Sequence, residues 1–287
     1  MLFKSRQPLQ RSRGVELFLR QQQTRPGYYR ELAPSPDLTD LVACNWISVI
    51  RRGRFGERSP IIPDGCSDIL LYDANTPVIV GPDTRMRWAE LPDGLVITGL
   101  RLRPGALRAV FGCPAAQLLD RQVPMSDVVS VPDRFLDALN FSDTLQRRHA
   151  LLEDWVRRSA RDLRANDSRV LGASRMLATD PQLSIGTLAR RLGWNARAIH
   201  RQFDAACGYG PKHLQRIMRV QTALRVSAGA RRRLPMSDVA LSAGFADQAH
   251  MTREFRDLTG FTPTAYFEFH DAGVGAWLSE TFKTNDG

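Results

Sequence analysis

Six polar side chains fall in two matched sets in the last third of the 287-residue chain: Arg197, His200 and Arg201, then Gln248, Thr252 and Arg253. Their guanidinium, imidazole, amide and hydroxyl groups are hydrogen-bonding groups, and a guanidinium can donate two bonds at once to a planar pair of acceptors. Ile199 and Phe203, four apart, mark the buried stripe of one helix, and Met251 and Phe255 mark that of another. The six polar groups, with Ala249, take the opposite sides. The chemistry they offer is hydrogen bonding to something outside the chain.

Two copies of one pattern position these groups. Leu183, Ile185, Leu188, Ala189, Gly193 and Trp194 recur 51 positions later as Leu234, Met236, Val239, Ala240, Gly244 and Phe245. One extra residue in the second turn then makes the offset 52, and Ile199, Arg201, Phe203, Gly208, Tyr209 and Pro211 recur as Met251, Arg253, Phe255, Gly260, Phe261 and Pro263. In each copy a helix ends at a glycine placed for the left-handed conformation, and Asn195 or Asp247 caps a second helix. A helix-turn-helix has this form. Between the copies, Leu214, Ile217, Val220 and Leu224 at helical spacing predict a long joining helix from Pro211 to about Ser227.

Over Ser168 to Phe269 the chain resembles the bacterial AraC/XylS-type DNA-binding domain. The closing stretch Ala243-Gly244-Phe245, Phe255-Arg256, Thr259-Gly260-Phe261-Thr262-Pro263 and Tyr266 follows that family's signature closely. The resemblance implies an all-α domain of seven helices in which the second helix of each unit enters the major groove. It assigns base reading to Arg197, His200, Arg201, Gln248, Thr252 and Arg253. Ala249 offers no hydrogen bond and at most packs on a thymine methyl. The implied partner is double-stranded DNA, with RNA polymerase, a small-molecule effector and a second copy of the chain as further candidate partners and no membrane.

Charge agrees with that placement. Residues 168–270 hold 15 Lys and Arg against 7 Asp and Glu, a net of +8 out of a formal +10 for the whole chain. Neutralising phosphates releases condensed counterions, which a basic domain exploits. The run Arg231-Arg232-Arg233 lies between the two units, as a DNA-backbone contact or as a solvated loop. No apolar run nears the roughly 20 residues needed to span a bilayer. The start, Met1-Leu2-Phe3-Lys4-Ser5-Arg6, runs into Gln and Arg rather than an apolar stretch, so a cytoplasmic protein without a secretory signal is expected. Cys44, Cys66, Cys113 and Cys207 show no paired spacing, which predicts small core residues rather than a zinc site or disulfides.

The front has another texture. Leu41 to Ile50, Ile69 to Tyr72, Val78 to Val80 and Leu95 to Leu102 are short apolar or alternating runs set apart by Pro and Gly, predicting a small antiparallel sheet. Helices follow through Leu107 to Phe111 and Phe135 to Leu139. A helix charged on its outer face is expected over 143–163, as a connector or dimer helix, with Ala165-Asn166-Asp167-Ser168 as linker. The fold class is therefore α+β: a β-rich sensing or dimerisation domain over 1–164 and a double helix-turn-helix domain over 168–270. Ile62-Pro63-Asp64-Gly65-Cys66-Ser67-Asp68 and Gly99-Leu100-Arg101-Leu102-Arg103-Pro104-Gly105 resemble the poorly characterised β-rich domain that precedes some AraC-type tails, over about residues 10 to 130. Within them Asp64, Asp68, Arg101 and Arg103 are candidates to face an effector pocket. The alternative is a tight turn at Asp64-Gly65 with an Arg-to-Asp ion pair holding strands together.

No catalytic residue, metal site or cofactor is assigned. Some AraC-type helices are fused to DNA-repair alkyltransferases with a nucleophile in a Pro-Cys-His-Arg context, which no cysteine here has. No Gly-x-Ser-x-Gly, phosphate-cradling loop or His-Glu-x-x-His occurs, and His200 and His250 lie on the recognition segments. A nonspecific architectural protein would use the same basic surface. The mixture of Gln, His, Thr and Arg on the exposed faces favours a sequence-specific transcriptional regulator.

Overall fold

A computed structural model describes residues 28–50, 58–72, 76–142, 144–161, 163–229 and 234–269. The fold is α+β, an antiparallel β-rich front followed by a helical tail. The strands are β1 Tyr28–Leu32, β2 Val42–Val49, β3 Arg58–Ile61, β4 Ser67–Tyr72, β5 Val78–Val80, β6 Arg87–Glu90, β7 Val96–Leu102 and β8 Gln122–Pro124. Six of them form one sheet in the order β1-β2-β7-β4-β5-β8, and β3 pairs with β6 as a separate ribbon. The four apolar runs of the sequence coincide with β2, β4, β5 and β7.

Both faces of this sheet are covered, which is why its inner strands read as nearly continuous apolar runs. In β4, Ile69 and Leu71 point into a core shared with α1 (Ala106–Phe111), α2 (Asp133–Asn140) and α3 (Leu145–Ser159). Leu70 and Tyr72 point the other way, into a second cluster with Tyr29, Trp46, Val80 and Ile97. Burying large apolar side chains on two sides contributes roughly 1.5–3 kcal/mol for each.

Helix α3 lies within the expected 143–163 and carries exposed Arg147, Arg157 and Arg158 on its outer face. It is shorter, and Arg148, His149 and Glu153 are buried in it. The Glu153 carboxylate accepts hydrogen bonds from Asn45 Nδ2 at 2.6 Å and from the Ser35 backbone N–H at 3.0 Å, and also from the Ser35 hydroxyl. His149 Nε2 lies 3.3 Å from the Trp46 carbonyl, and burial holds its pKa below the usual imidazole value. These groups clamp α3 to β2, making it part of the front core.

The tail has seven helices among the described residues: α4 Ala165–Thr179, α5 Ile185–Arg191, α6 Ala196–Cys207, α7 Pro211–Gly229, α8 Met236–Ser242, α9 Gln248–Thr259 and α10 Pro263–Phe269. Residues 165–168, expected as a linker, are the first turn of α4. The physical reason is Asp167, 2% exposed, which accepts from Arg108 Nε of α1 at 2.6 Å and so fixes that turn to the front. One apolar cluster runs through both repeats and α7, including Leu188, Phe203, Ile217, Val220, Met251 and Phe255.

Three more contacts join front and tail. Gln221 Nε2 of α7 donates to the Pro63 carbonyl at 2.6 Å, the Met86 N–H donates to the Leu258 carbonyl at 2.7 Å, and Trp88 meets Phe261 edge-on at 6.5 Å. Gly65 has φ +79°, and a Cβ there would stand 2.7 Å from Leu214 Cδ1 of α7. The turn at 63–66 is thus shaped to lie on α7.

Replacing Glu153 by Ala strands the buried Asn45 and Ser35 donors. The unfolding free energy should fall by about 1–3 kcal/mol, read by urea denaturation. An unchanged midpoint would show that the clamp contributes nothing.

Candidate nucleic-acid interface and interior cavity

Each repeat builds its outward face in the same way. In the first, Ser184 Oγ accepts from the Thr187 N–H at 3.1 Å and starts α5. Gly193 turns the chain at φ +64°, and Asn195 Oδ1 accepts from the Ala198 N–H at 2.8 Å, starting α6. In the second, Gly244 turns at φ +84° and Asp247 Oδ1 accepts from the His250 N–H at 2.6 Å, starting α9. Ile199, Phe203, Met251 and Phe255 are all fully buried, so both stripes lie where their spacing predicts.

That burial fixes which groups face out. Arg197, His200 and Arg201 share the exposed side of α6, with the His200 ring lying against Gly210. Gln248, Ala249 and Arg253 are exposed on α9, and Thr252 is half-buried, its hydroxyl donating to the Gln248 carbonyl at 2.9 Å. His250 instead turns back onto its own helix: Nε2 lies 3.2 Å from Glu254, and Nδ1 accepts from the Ala246 N–H at 3.3 Å. Glu254 also pairs with Arg216 and Arg219 of α7, each at 3.5 Å, tying α9 to the joining helix. Arg231, Arg232 and Arg233 lie outside the described residues.

The second feature is a cavity of about 300 Å³, partly open to solvent, between the sheet, the β3–β6 ribbon and the tail. Asp64, Asp68 and Arg101 meet on its wall, as the two front motifs suggested. β-Pairing sets Asp68 directly opposite Arg101. Arg101 Nε donates to Asp68 Oδ1 at 3.2 Å, and Nη1 lies 3.5 Å from Asp64 and 3.8 Å from Glu31. The ion pair and the turn at Asp64-Gly65 are therefore both present, in the cavity wall itself. Arg103 does not join them. Strand β7 ends at Leu102, and Arg103 Nε donates instead to the Thr39 carbonyl at 2.7 Å.

Several cavity residues carry no motif and escape sequence reading. Trp46 lies over β7 and donates from Nε1 to Asp68 at 2.8 Å. Gly99 is the reason it can, since a Cβ there would fall 2.2 Å from the indole. Tyr29 donates to Glu31 at 2.7 Å, and Gln221, Leu224 and Tyr266 close the wall from the tail. Burial raises the pKa of Asp68 and of Glu31, with Arg101 opposing the shift in both. Cys44 and Cys207 are buried, Cys66 and Cys113 half-buried, and all four are free thiols. Among the described residues no cluster of His, Cys, Asp or Glu could hold a metal ion, and no helix is long and apolar enough to cross a membrane.

Residues 188–268 match the family described as a helix-turn-helix domain, and residues 30–124 match one described as a domain of unknown function (DUF6597). The chain thus carries an AraC-type helix-turn-helix domain preceded by that uncharacterised domain, and it is a DNA-binding transcriptional regulator. No curated protein matches it. Similar solved structures include ToxT from Vibrio cholerae O395, at 10% identity and TM-score 0.38, covering 84% of this chain and 96% of that one. ToxT bound to (E)-4-(8-methylnaphthalen-1-yl)but-3-enoic acid gives 11% identity and TM-score 0.40, covering 84% and 97%. Wild-type ToxT from Vibrio cholerae strain SCE256 bound to unsaturated fatty acid gives 12% and 0.36, covering 84% and 93%.

Asp83, 8% exposed at the cavity edge, has its pKa raised from 3.8 to about 6 by burial, with Arg87 Nε at 3.0 and 3.1 Å opposing the shift. The folded state therefore holds a proton that the unfolded chain has released. Stability from this group falls as pH rises from about 4 to about 6 and is level above that. Urea midpoints of wild type and Asp83→Asn, compared at about pH 4.5 and about pH 7, should show a smaller pH-dependent loss in the variant. Equal losses would place the proton elsewhere.

Proposed function

We propose that this regulator reads a specific DNA sequence with α6 and α9, inserted into successive major-groove segments, and that the cavity holds a small-molecule effector. One observation carries the DNA reading: two capped helices, each anchored by a fully buried pair four residues apart, present mixed polar sets at equivalent positions. Arg197, His200 and Arg201 would contact one block of bases, and Gln248, Thr252 and Arg253 the other. Phosphate contacts come from surrounding basic residues, with Arg231 to Arg233 as sequence candidates. The domains assigned are 1–164 and 168–270. The site of action is the cytoplasm, RNA polymerase and a second copy of the chain are the protein partners, and no catalytic step is required.

Effector sensing rests on the composition of the cavity wall. Its floor is the front sheet, and Gln221, Leu224 and Tyr266 of the tail form part of its roof. A molecule filling it touches both parts of the chain.

If both helices dock on one face of the duplex, their contacts are separated by about 34 Å, one helical turn. Footprinting of the full chain on a site selected from random duplexes should then show two short protected blocks per protein at that spacing. One short contiguous block would mean that a single unit reads DNA.

Arg201 and Arg253 separate a specific regulator from a nonspecific architectural protein. A guanidinium donating to guanine O6 and N7 supplies about 1–3 kcal/mol of base discrimination, so each Ala variant should bind the selected site roughly 10- to 100-fold more weakly. Binding to random duplex should change far less. Phosphate anchors behave otherwise: their loss weakens all sequences together and lowers the salt slope by about one unit. Proportional loss on both duplexes would favour the architectural protein.

A further inference from the structure

We propose that the cavity binds an organic cation, an amine or ammonium group on a small apolar or aromatic body, with the charge held by Asp64 and Asp68 beside the Trp46 ring. This rests on the effector role of the cavity and names the chemistry of its ligand. Charge balance favours a cation. Arg101 is a single guanidinium facing three carboxylates, Glu31, Asp64 and Asp68, within 3.2 to 3.8 Å. The other cation on the wall, Arg87, is already held by Asp83. Among the described lining residues there is no Lys or His, so no positive group stands ready for a carboxylate ligand. A half-buried excess of carboxylates carries a desolvation cost that a nearby cation relieves.

The walls favour the same class of ligand. Trp46 already carries a cation on its ring face, with the Arg101 guanidinium carbon 5.9 Å from its centroid. Tyr29, Tyr72, Trp88 and Tyr266 supply further ring surface, and Leu70 and Ile97 make the remainder apolar. Aromatic faces with nearby carboxylates suit alkylammonium and arylalkylammonium groups. The tail side of the wall adds an unsatisfied acceptor. Gln221 is 5% exposed, and its amide orientation is fixed because Nε2 donates to the Pro63 carbonyl. Its Oε1 is buried without a donor. A ligand rich in N–H groups supplies what this wall lacks, whereas a carboxylate would add a fourth acceptor group to three.

The test uses the full chain with three probes that share a phenethyl body, phenethylamine, phenethyl alcohol and 3-phenylpropionate, in calorimetry and thermal unfolding near neutral pH. The amine should bind, raise the melting temperature, and bind about 10-fold or more tightly than the alcohol, with the acid weakest. Asp64→Asn should cost the amine about 10- to 100-fold while leaving the alcohol nearly unchanged. Asp68→Asn should act likewise. If it fails to fold, Asp64→Asn decides alone, because its side chain lies on a turn and is 28% exposed. Absence of amine binding, acid binding at least as tight as the amine's, or amine binding indifferent to Asp64→Asn overturns the proposal. Affinity for the selected DNA site, measured with each bound probe, tests the effector role separately. An amine that binds through Asp64 without moving DNA affinity leaves the cation site standing and removes the effector role. An acid that binds and shifts DNA affinity does the reverse.

Discussion

Helix α7 is pinned by buried polar side chains, and the rest of the molecule takes its position from those pins. Gln221 donates to the Pro63 carbonyl, Gln215 to the Leu183 carbonyl at 2.8 Å and Arg219 to the Pro181 carbonyl at 3.2 Å, while Arg216 and Arg219 hold Glu254 of α9. Each of these groups would cost on the order of 1–3 kcal/mol if buried without its partner. The apolar residues between them could slide to a neighbouring packing at smaller cost. The hydrogen bonds cannot, so they fix the axial position and rotation of α7 against the front and the entry to the first repeat, while the ion pairs to Glu254 tie in the second helix of the other repeat.

If the cavity takes the proposed effector, that arrangement offers occupancy a mechanical route to the helix-turn-helix units. Tyr266 lines the cavity, and its ring lies 5.6 Å from Phe255, the fully buried anchor of α9. Leu224 and Gln221 line the same cavity from α7. A ligand can bias the tail only through contacts that differ between two arrangements. The contacts available are with the joining helix and with the packing behind the second recognition helix. The first unit is held to the front along another seam, by Arg108 and Asp167 and by Gly208, where a Cβ would meet Leu119 Cδ1 at 2.9 Å. Rearrangement at the cavity would therefore shift the second repeat relative to the first, changing the spacing between reading heads rather than the heads themselves.

The tail was legible because its determinants are local. An apolar pair four apart, a glycine at a turn and a capping Asn or Asp all act within a dozen residues, and the second copy repeats the first. In the front, the strands buried on two sides were legible as apolar runs. The short ones, β1, β3, β6 and β8, were not, because sequences such as Arg87-Trp88-Ala89-Glu90 alternate too briefly to stand out. Asp167 made a helical turn look like a linker, since Asn166-Asp167-Ser168 is loop-like in composition and only the partner Arg108 explains its burial. The cavity was half legible. Two motifs supplied Asp64, Asp68 and Arg101, but Trp46, Gly99, Gln221 and Tyr266 come together only through strand pairing and the docking of α7 and α10. Arg103 shows the limit of motif reading: two residues beyond Arg101, it keeps the periodicity of a strand that has already ended.

The chain separates its charges, with most of the basic excess in the tail and surplus carboxylates around the cavity. Were the cavity to signal by its field, an added cation would change the total by one unit against a formal +10. Exposed charges are also screened over about 10 Å at ordinary ionic strength. A field effect of that size alters sequence-independent attraction slightly and leaves base discrimination untouched, because phosphates respond to charge and base edges to geometry. A cation in this cavity would therefore act on DNA through the packing of α7, Tyr266 and Phe255, by moving α9 and its exposed Gln248 and Arg253 relative to the first unit.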